Sequence, residues 1–224
     1  MLALPTADVA HSTLSNLAFD GSQIDGGLFS EVTGWARSAP GWFDTVVKDW
    51  SAYGIVIFAV FMVLAWWSAR RQPPVTMARV LSAPVVVVLA YVVNDLLKSV
   101  VKEVRPCRQI PHTFHLEACA ASNDWAFPSN HTVVAFSAAL ALFLANRKIG
   151  RVALLAAVLM GASRVWVGAH YPHDVAVGAV VGLVLAAAFT VPLGRVGGPI
   201  VARARSGRLG PFLDGGPVAA HRRV

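Results

Sequence analysis

Seven side chains between positions 98 and 174 carry the chemistry of anion binding and group transfer: Lys98, Arg105, Ser129, His131, Arg164, His170 and Asp174. Lys98, Arg105 and Arg164 are permanent positive charges, and the guanidinium forks match phosphate oxygens in bidentate fashion. Pro128-Ser129 ahead of an apolar run reads as a helix start. Its free N–H groups and the positive end of its dipole suit a phosphate, and the Ser129 hydroxyl adds a donor. The turn 168–174 has Pro172 where a first helical residue sits, so His170 should lie just outside the next helix, with Asp174 in its first turn. Asp174 is then close enough in sequence to hold one ring nitrogen of His170, which fixes the tautomer and leaves the other nitrogen free to attack. Cations, a hydroxyl, two histidines and a carboxylate together suit phosphoryl transfer, which mainly needs charge neutralisation and in-line positioning.

The elements that must hold these residues are apolar. The 224 residues are 56% hydrophobic and 14% charged, with a mean hydropathy of +0.59, against roughly 45–50% and about 25% in soluble domains. That balance excludes disorder and an ordinary soluble globule. Uncharged runs cover 51–69 and 175–193, with shorter ones at 80–93, 131–145 and 152–163. A soluble helical core would show a polar face on each helix, and the two long runs have none. The expectation is an all-α, polytopic membrane helix bundle of five spans, near 51–69, 76–97, 129–146, 149–168 and 173–194. Membrane-embedded ionisable groups are costly and mark function. Here they gather at four span ends that such a topology brings to one depth on one face. Asn94, Asp95, Lys98, Lys102 and Arg105 end the second span, and 128–131 opens the third. Arg164 ends the fourth, and His170, His173 and Asp174 lead into the fifth.

Orientation follows from the basic residues, since short Lys/Arg-rich loops stay in the cytoplasm. Twelve of the 19 basic residues fall on one side of the five-span arrangement, in the loops around 70–79 and 147–151 and in the tail after 194, with Asp214 the one acid among them. The +7 net charge is thus a cytoplasmic excess, and no nucleic-acid partner is needed to explain it. The reading is a multi-pass protein of the plasma (inner) membrane with an extracytoplasmic site and a cytoplasmic C-terminus. Three regions result: an amphipathic, interfacial segment 1–50, a bundle 51–194 with a catalytic loop 98–128, and a basic tail 195–224 expected to be poorly ordered or bound to anionic headgroups. Residues 1–50 show no cleavable signal pattern. Within them 24–50 mixes large apolar and charged residues, broken near Pro40-Gly41, which suits interfacial helices or a packing collar. Cys107 and Cys119 share the outward loop, where a disulfide is expected, the alternative being two free thiols.

Three motifs lie in order. Lys98-Ser-Val-Val-Lys-Glu-Val-Arg105-Pro106 fits K-x6-R-P, Pro128-Ser129-Asn130-His131 fits P-S-G-H but for one residue, and Ser163-Arg164-x5-His170-x3-Asp174 fits S-R-x5-H-x3-D. The chain therefore resembles the type-2 phosphatidic acid phosphatase superfamily of membrane lipid phosphatases over 98–174, and its layout resembles the small bacterial undecaprenyl-diphosphate phosphatases of that superfamily. The resemblance implies that Lys98, Arg105, Ser129 and Arg164 bind phosphate, that His170 is the nucleophile forming a phospho-histidine, and that Asp174 orients it. It implies that His131 protonates the leaving oxygen and then activates water. No metal or cofactor is implied. Asn130 stands where the family has Gly, near the phosphate, and tolerates unusual backbone angles better than most residues. The family has six helices, so 24–50 is expected to stand in for the first.

The resulting expectation is a lipid phosphatase acting without metal on a polyprenyl diphosphate. Phosphatidic acid, phosphatidylglycerol phosphate and a phosphorylated prenyl sugar are the alternatives, because the motifs read the phosphate and not the tail. Its partners are the lipid phosphate and membrane lipids, with no protein partner indicated. A non-enzymatic anion transporter would explain the arginines but not two histidines and a carboxylate at hydrolytic spacing. A vanadate-dependent haloperoxidase shares the pocket but not the multiple spans. His173 reads as a helix-start or rim residue, and Asp95 as a partner for Lys98 or Lys102.

Overall fold

The computed structural model describes residues 19–214, and these form nine α-helices, with one isolated bridge between Phe19 and Glu103. The helices are α1 (Ser22–Ser38), α2 (Gly41–Tyr53), α3 (Val56–Ala69), α4 (Pro74–Val101), α5 (Pro106–Gln109), α6 (Asn130–Ala145), α7 (Arg147–Trp166), α8 (Pro172–Arg205) and α9 (Gly210–Leu213). Proline at a first helical position costs no hydrogen bond, which explains the starts of α4 and α8. Asn146 caps α7 with its side-chain oxygen, accepting from the Lys148 and Ile149 amides.

Helices α4, α6, α7 and α8 form the bundle. The buried face of α8 repeats every four residues through Asp174, Gly178, Gly182, Ala186, Thr190, Gly194 and Gly198. Small residues at that spacing let backbones approach closely, as in membrane helix pairs. A β-carbon on Gly178 would lie 3.0 Å from the Ser129 carbonyl oxygen, and one on Gly182 would lie 2.6 Å from that of Val133. The stripe therefore seats the start of α6 against the start of α8, where two of the three motifs meet. The Ser129 amide donates to the Asp174 carbonyl at 3.1 Å and closes that junction.

The bundle is a membrane helical bundle, but not one of five spans. Among the described residues, only α4, α7 and α8 are long and apolar enough to cross a membrane, and a fourth crossing results if α2 and α3 are one span bent by 59°. The run 51–69 is not one helix. Its first residues end α2, and the chain turns at Gly54-Ile55 before α3 begins. The 14 residues of α3 reach ~21 Å and the 16 of α6 ~24 Å, short of a hydrocarbon core of about 30 Å. Hydropathy registers the apolar run but not the bend. The tail differs too. In place of a loose segment after 194, α8 continues to Arg205, because Gly194 and Gly198 pack on Arg79 and Val75 of α4. Arg205 then donates to the Leu213 and Ala69 carbonyls, and Arg70 to that of Asp214. The remainder of the tail and residues 1–18 lie outside the described residues. The 24–50 segment forms α1 and α2, divided at Pro40 as its composition suggests.

Candidate active site

A cavity of about 230 Å³ opens among the ends of α4, α6 and α7, the 103–129 loop and the turn into α8. Its lining includes Lys98, Arg105, Asn130, His131, Arg164 and His170. Residues separated by up to 72 positions thus share one cavity. Lys98 is on the last turn of α4, and Arg105 follows a left-handed turn at Lys102 (φ 51°). Arg164 ends α7, where its carbonyl accepts from the amides of both Ala169 and His170, folding the chain back. Gly168 allows that reversal. Its φ of +78° disfavours a side chain, and a β-carbon would lie 3.0 Å from the Phe114 carbonyl oxygen.

His170 is almost fully buried. Its Nδ1 lies 3.3 Å from Asp174 Oδ2, and its Nε2 lies 3.4 Å from Arg105 Nη1. A guanidinium only donates, so Nε2 holds a lone pair and Nδ1 carries the proton toward Asp174. Asp174 Oδ2 also accepts from the Tyr171 amide at 2.9 Å. Burial, and then the charges of Arg105, Arg164 and Lys98, hold the His170 imidazole well below its usual pKa. The ring is therefore neutral and its free nitrogen stands among cations.

Those cations face carboxylates from the loop. Asp124 reaches both Lys98 Nζ (3.3 Å) and Arg105 Nη2 (3.0 Å), and Glu117 Oε1 is 2.8 Å from Arg164 Nη1. Ser51 of α2 completes the second contact, accepting from Arg164 and donating to Glu117. Burial disfavours charge on Asp124, but Arg105 and Lys98 outweigh it and keep its carboxyl below the usual range. Two carboxylates thus hold the positions that anionic oxygens of a ligand would take. Lys98 pairs with Asp124, while Asp95, the partner suggested by helical spacing, is exposed.

The other anticipated residues are more varied. His131 is half-buried on the cavity wall, and its ring finds no partner among the described residues. Asn130 accepts from Asn94 Nδ2 at 2.6 Å, so the residue replacing glycine is tied to α4. Ser129 is fully buried as the N-cap of α6, and its hydroxyl accepts from Thr132 at 3.0 Å instead of lining the cavity. Cys107 and Cys119 are bonded and hold the loop that delivers Glu117. His173 is the second residue of α8, the helix-start alternative of its reading and not the rim one. It is mostly buried behind Asp174, between Asp25 and Glu103. Sequence reasoning passed over Ser51, Glu117 and Asp124, which lie 19 to 113 positions from their partners, and for the two acids the available signal was their isolation in the loop between α4 and α6.

Among the described residues, one group of metal-ligand type has donor atoms within 4.8 Å of one another: Glu103, His173 and Asp174. Both ring nitrogens of His173 already face carboxylate oxygens, so the group is an ion-pair cluster.

Comparison with known proteins agrees with this geometry. The PAP2 superfamily model matches residues 79–195. The chain is 34% identical to undecaprenyl-diphosphatase BcrC of Bacillus subtilis over 142 residues, covering 63% of this chain and 70% of that one. It is 33% identical to the bacitracin transport permease protein BcrC of Bacillus licheniformis over 141 residues, covering 63% and 67%. In three dimensions it is similar to the crystal structure of Aquifex aeolicus LpxE, with a TM-score of 0.59 and 23% identity over 74% of this chain and 93% of that one. With motifs, bundle and family match in accord, the chain belongs to the PAP2 superfamily.

Proposed function

We propose that this PAP2-superfamily phosphatase removes the terminal phosphate of a polyprenyl diphosphate at the extracytoplasmic face of the plasma (inner) membrane, through a phospho-histidine and without metal. One observation carries the reading: the free Nε2 of a neutral, buried His170 stands 3.4 Å from Arg105 with Asp174 behind it. Nε2 attacks the terminal phosphorus while Lys98, Arg105 and Arg164 neutralise its oxygens, displacing Asp124 and Glu117. The bond to the bridging oxygen breaks, and His131, which takes up a proton as the bound diphosphate offsets the charges of Arg164, Arg105 and Lys98, gives that proton to the oxygen. The prenyl monophosphate leaves. His131 then takes a proton from water, which attacks the phospho-histidine and releases inorganic phosphate.

A long tail has a place to go. An apolar cavity of about 400 Å³ lies between α2 and α7, lined by Phe43, Val46, Val47, Trp50, Leu159 and Trp166. Ser51 and Arg164, on the same two helices, join the phosphate cavity to it in sequence. The diphosphatase relative from B. subtilis supports a prenyl diphosphate over phosphatidic acid, phosphatidylglycerol phosphate or a phosphorylated prenyl sugar. Another relative carries a permease name. Transport would use the cations but has no use for a histidine held with its lone pair inward. The outward orientation is supported by the gathering of Arg70, Arg79 and Arg205 around the α3, α6 and α8–α9 ends.

Purified protein in EDTA should release phosphate from a prenyl diphosphate with a higher kcat/KM than from phosphatidic acid or phosphatidylglycerol phosphate, and His170→Ala should abolish release. Strict dependence on added magnesium, or full activity in the variant, would sink this mechanism.

A further inference from the structure

Behind the catalytic pair, three carboxylates surround one imidazole. His173 Nδ1 lies 2.7 Å from Asp25 Oδ1 of α1, and its Nε2 lies 3.1 Å from both carboxylate oxygens of Glu103 and 3.6 Å from Asp174 Oδ1. The His173 amide also donates to Asp25 Oδ2 at 2.7 Å. Tyr171 stacks on the ring at 5.4 Å and Phe127 tilts over it at 5.9 Å, so the ring is fixed in plane. Glu103 and Asp174 are fully buried, and Asp174 Oδ1 has no hydrogen-bond partner. Burying carboxylates at such range without a cation is strongly unfavourable. Burial pushes the Glu103 carboxyl up, and the His173 contact opposes that rise. The charged and titratable groups facing this cluster are Asp20 and Asp25 from the N-terminal segment, Glu103, Tyr171, His170 and, beyond His170, Arg105 and Lys98.

The N-terminal segment closes the cluster. Phe19 and residues 102–104 exchange backbone hydrogen bonds, 3.2 Å to the Lys102 carbonyl and 3.0 Å from the Val104 amide. Gly21 leaves room for no β-carbon beside Glu103. These contacts join the first motif to the third from behind.

We propose that His173 is a positioning residue: as an imidazolium donating from both ring nitrogens to Asp25 and Glu103, it offsets the repulsion of buried Glu103 and so favours the ionised form of Asp174 beside His170. The proposal rests on the phosphatase reading for its kinetic consequences but not for the charge state itself. Removing the cation makes Asp174 harder to ionise, so the active form appears only at higher pH. Removing Glu103's charge does the reverse.

The test is the acid limb of kcat against pH in three variants, on the prenyl diphosphate. His173→Gln should lower kcat about 10- to 100-fold at pH 7 and move the limb up by about one pH unit. Glu103→Gln should move it down, and the double variant should return it close to wild type while KM changes little. A structural role alone would lower activity in each variant without opposite limb shifts, and that result overturns the proposal. A second measurement needs no turnover. In 15N-histidine spectra of the detergent-solubilised protein, the signals lost in His173→Gln should show both ring nitrogens protonated at pH 7, and a neutral tautomer there overturns the proposal as well. Wild type that hydrolyses no lipid phosphate refutes the phosphatase reading instead, and the spectra still decide the imidazolium.

Discussion

Under the proposed function, Asp124 and Glu117 set the terms on which a phosphate enters the cavity, because Lys98, Arg105 and Arg164 are already paired. The pairs differ in strength. Asp124 is half-exposed, at 48%, and its attraction to Lys98 and Arg105 is screened by solvent. Glu117 is more buried and shares Arg164 with Ser51. Asp124 is thus the easier carboxylate to displace. Asp124→Asn should lower the inhibition constant for orthovanadate about threefold to tenfold, since the amide keeps the loop's shape while removing the competing charge. The Arg105 Nε bond to the residue-124 backbone carbonyl, at 2.9 Å, is retained in that variant. Unchanged inhibition would mean that the carboxylate does not compete. Because the two cations hold the Asp124 carboxyl below its usual value, the competition persists through neutral and mildly acidic pH. It fades only as pH falls below the ordinary aspartate value of about 3.9.

At the scale of elements, the position of the second motif depends on how closely α6 approaches α8. The approach is set by absent side chains and not by a directional bond. Gly182→Val must push α6 outward, since its β-carbon would sit 2.6 Å from the Val133 carbonyl oxygen. The displaced helix carries Asn130 and His131 at its start. Thermal unfolding followed by circular dichroism should show a clear loss of stability, of about 1–3 kcal/mol from overpacking, together with lower kcat. Gly27→Ala, where a β-carbon meets nothing within 4 Å, should change neither. The same close packing explains why α8 continues through Pro192 and Pro199: neighbouring helices support a backbone that propensity alone would end.

At the scale of the whole molecule, the charged cavity and the arginine-rich end lie at opposite ends of α4 and α8. Lys98 and Asp174 mark one end, and Arg79 beside Gly194 marks the other. Lys148 is exposed at the start of α7, on the arginine-rich side, and the two native cysteines are bonded to each other. Lys148→Cys should therefore resist a membrane-impermeant maleimide in intact cells and react after permeabilisation. Ready labelling of intact cells inverts the orientation. The polarity of the chain was legible because it is written in composition along the sequence. The cation and histidine motifs were legible for a similar reason, since their spacing places each at the end of an apolar run. The number of crossings was not legible. Whether 51–69 is one span or a bent pair depends on a turn at Gly54-Ile55, and hydropathy averages over that turn.

The sequence by itself determined the helical, membrane-embedded class, the three motifs, the start of α8 at Pro172 and the pairing of His170 with Asp174. These rest on contacts within a few residues or on periodic patterns, which local chemistry specifies. Only the tertiary structure decided that Asp124 and Glu117 sit on Lys98, Arg105 and Arg164, that Ser129 turns toward Thr132, and that His173 joins Asp25 and Glu103 behind the site. Each of these except the Ser129 contact links residues 19 to 148 positions apart. A carboxylate in a loop has no local preference among distant cations. Its partner is chosen when the glycine stripe of α8 and the N-terminal segment fix which span ends meet.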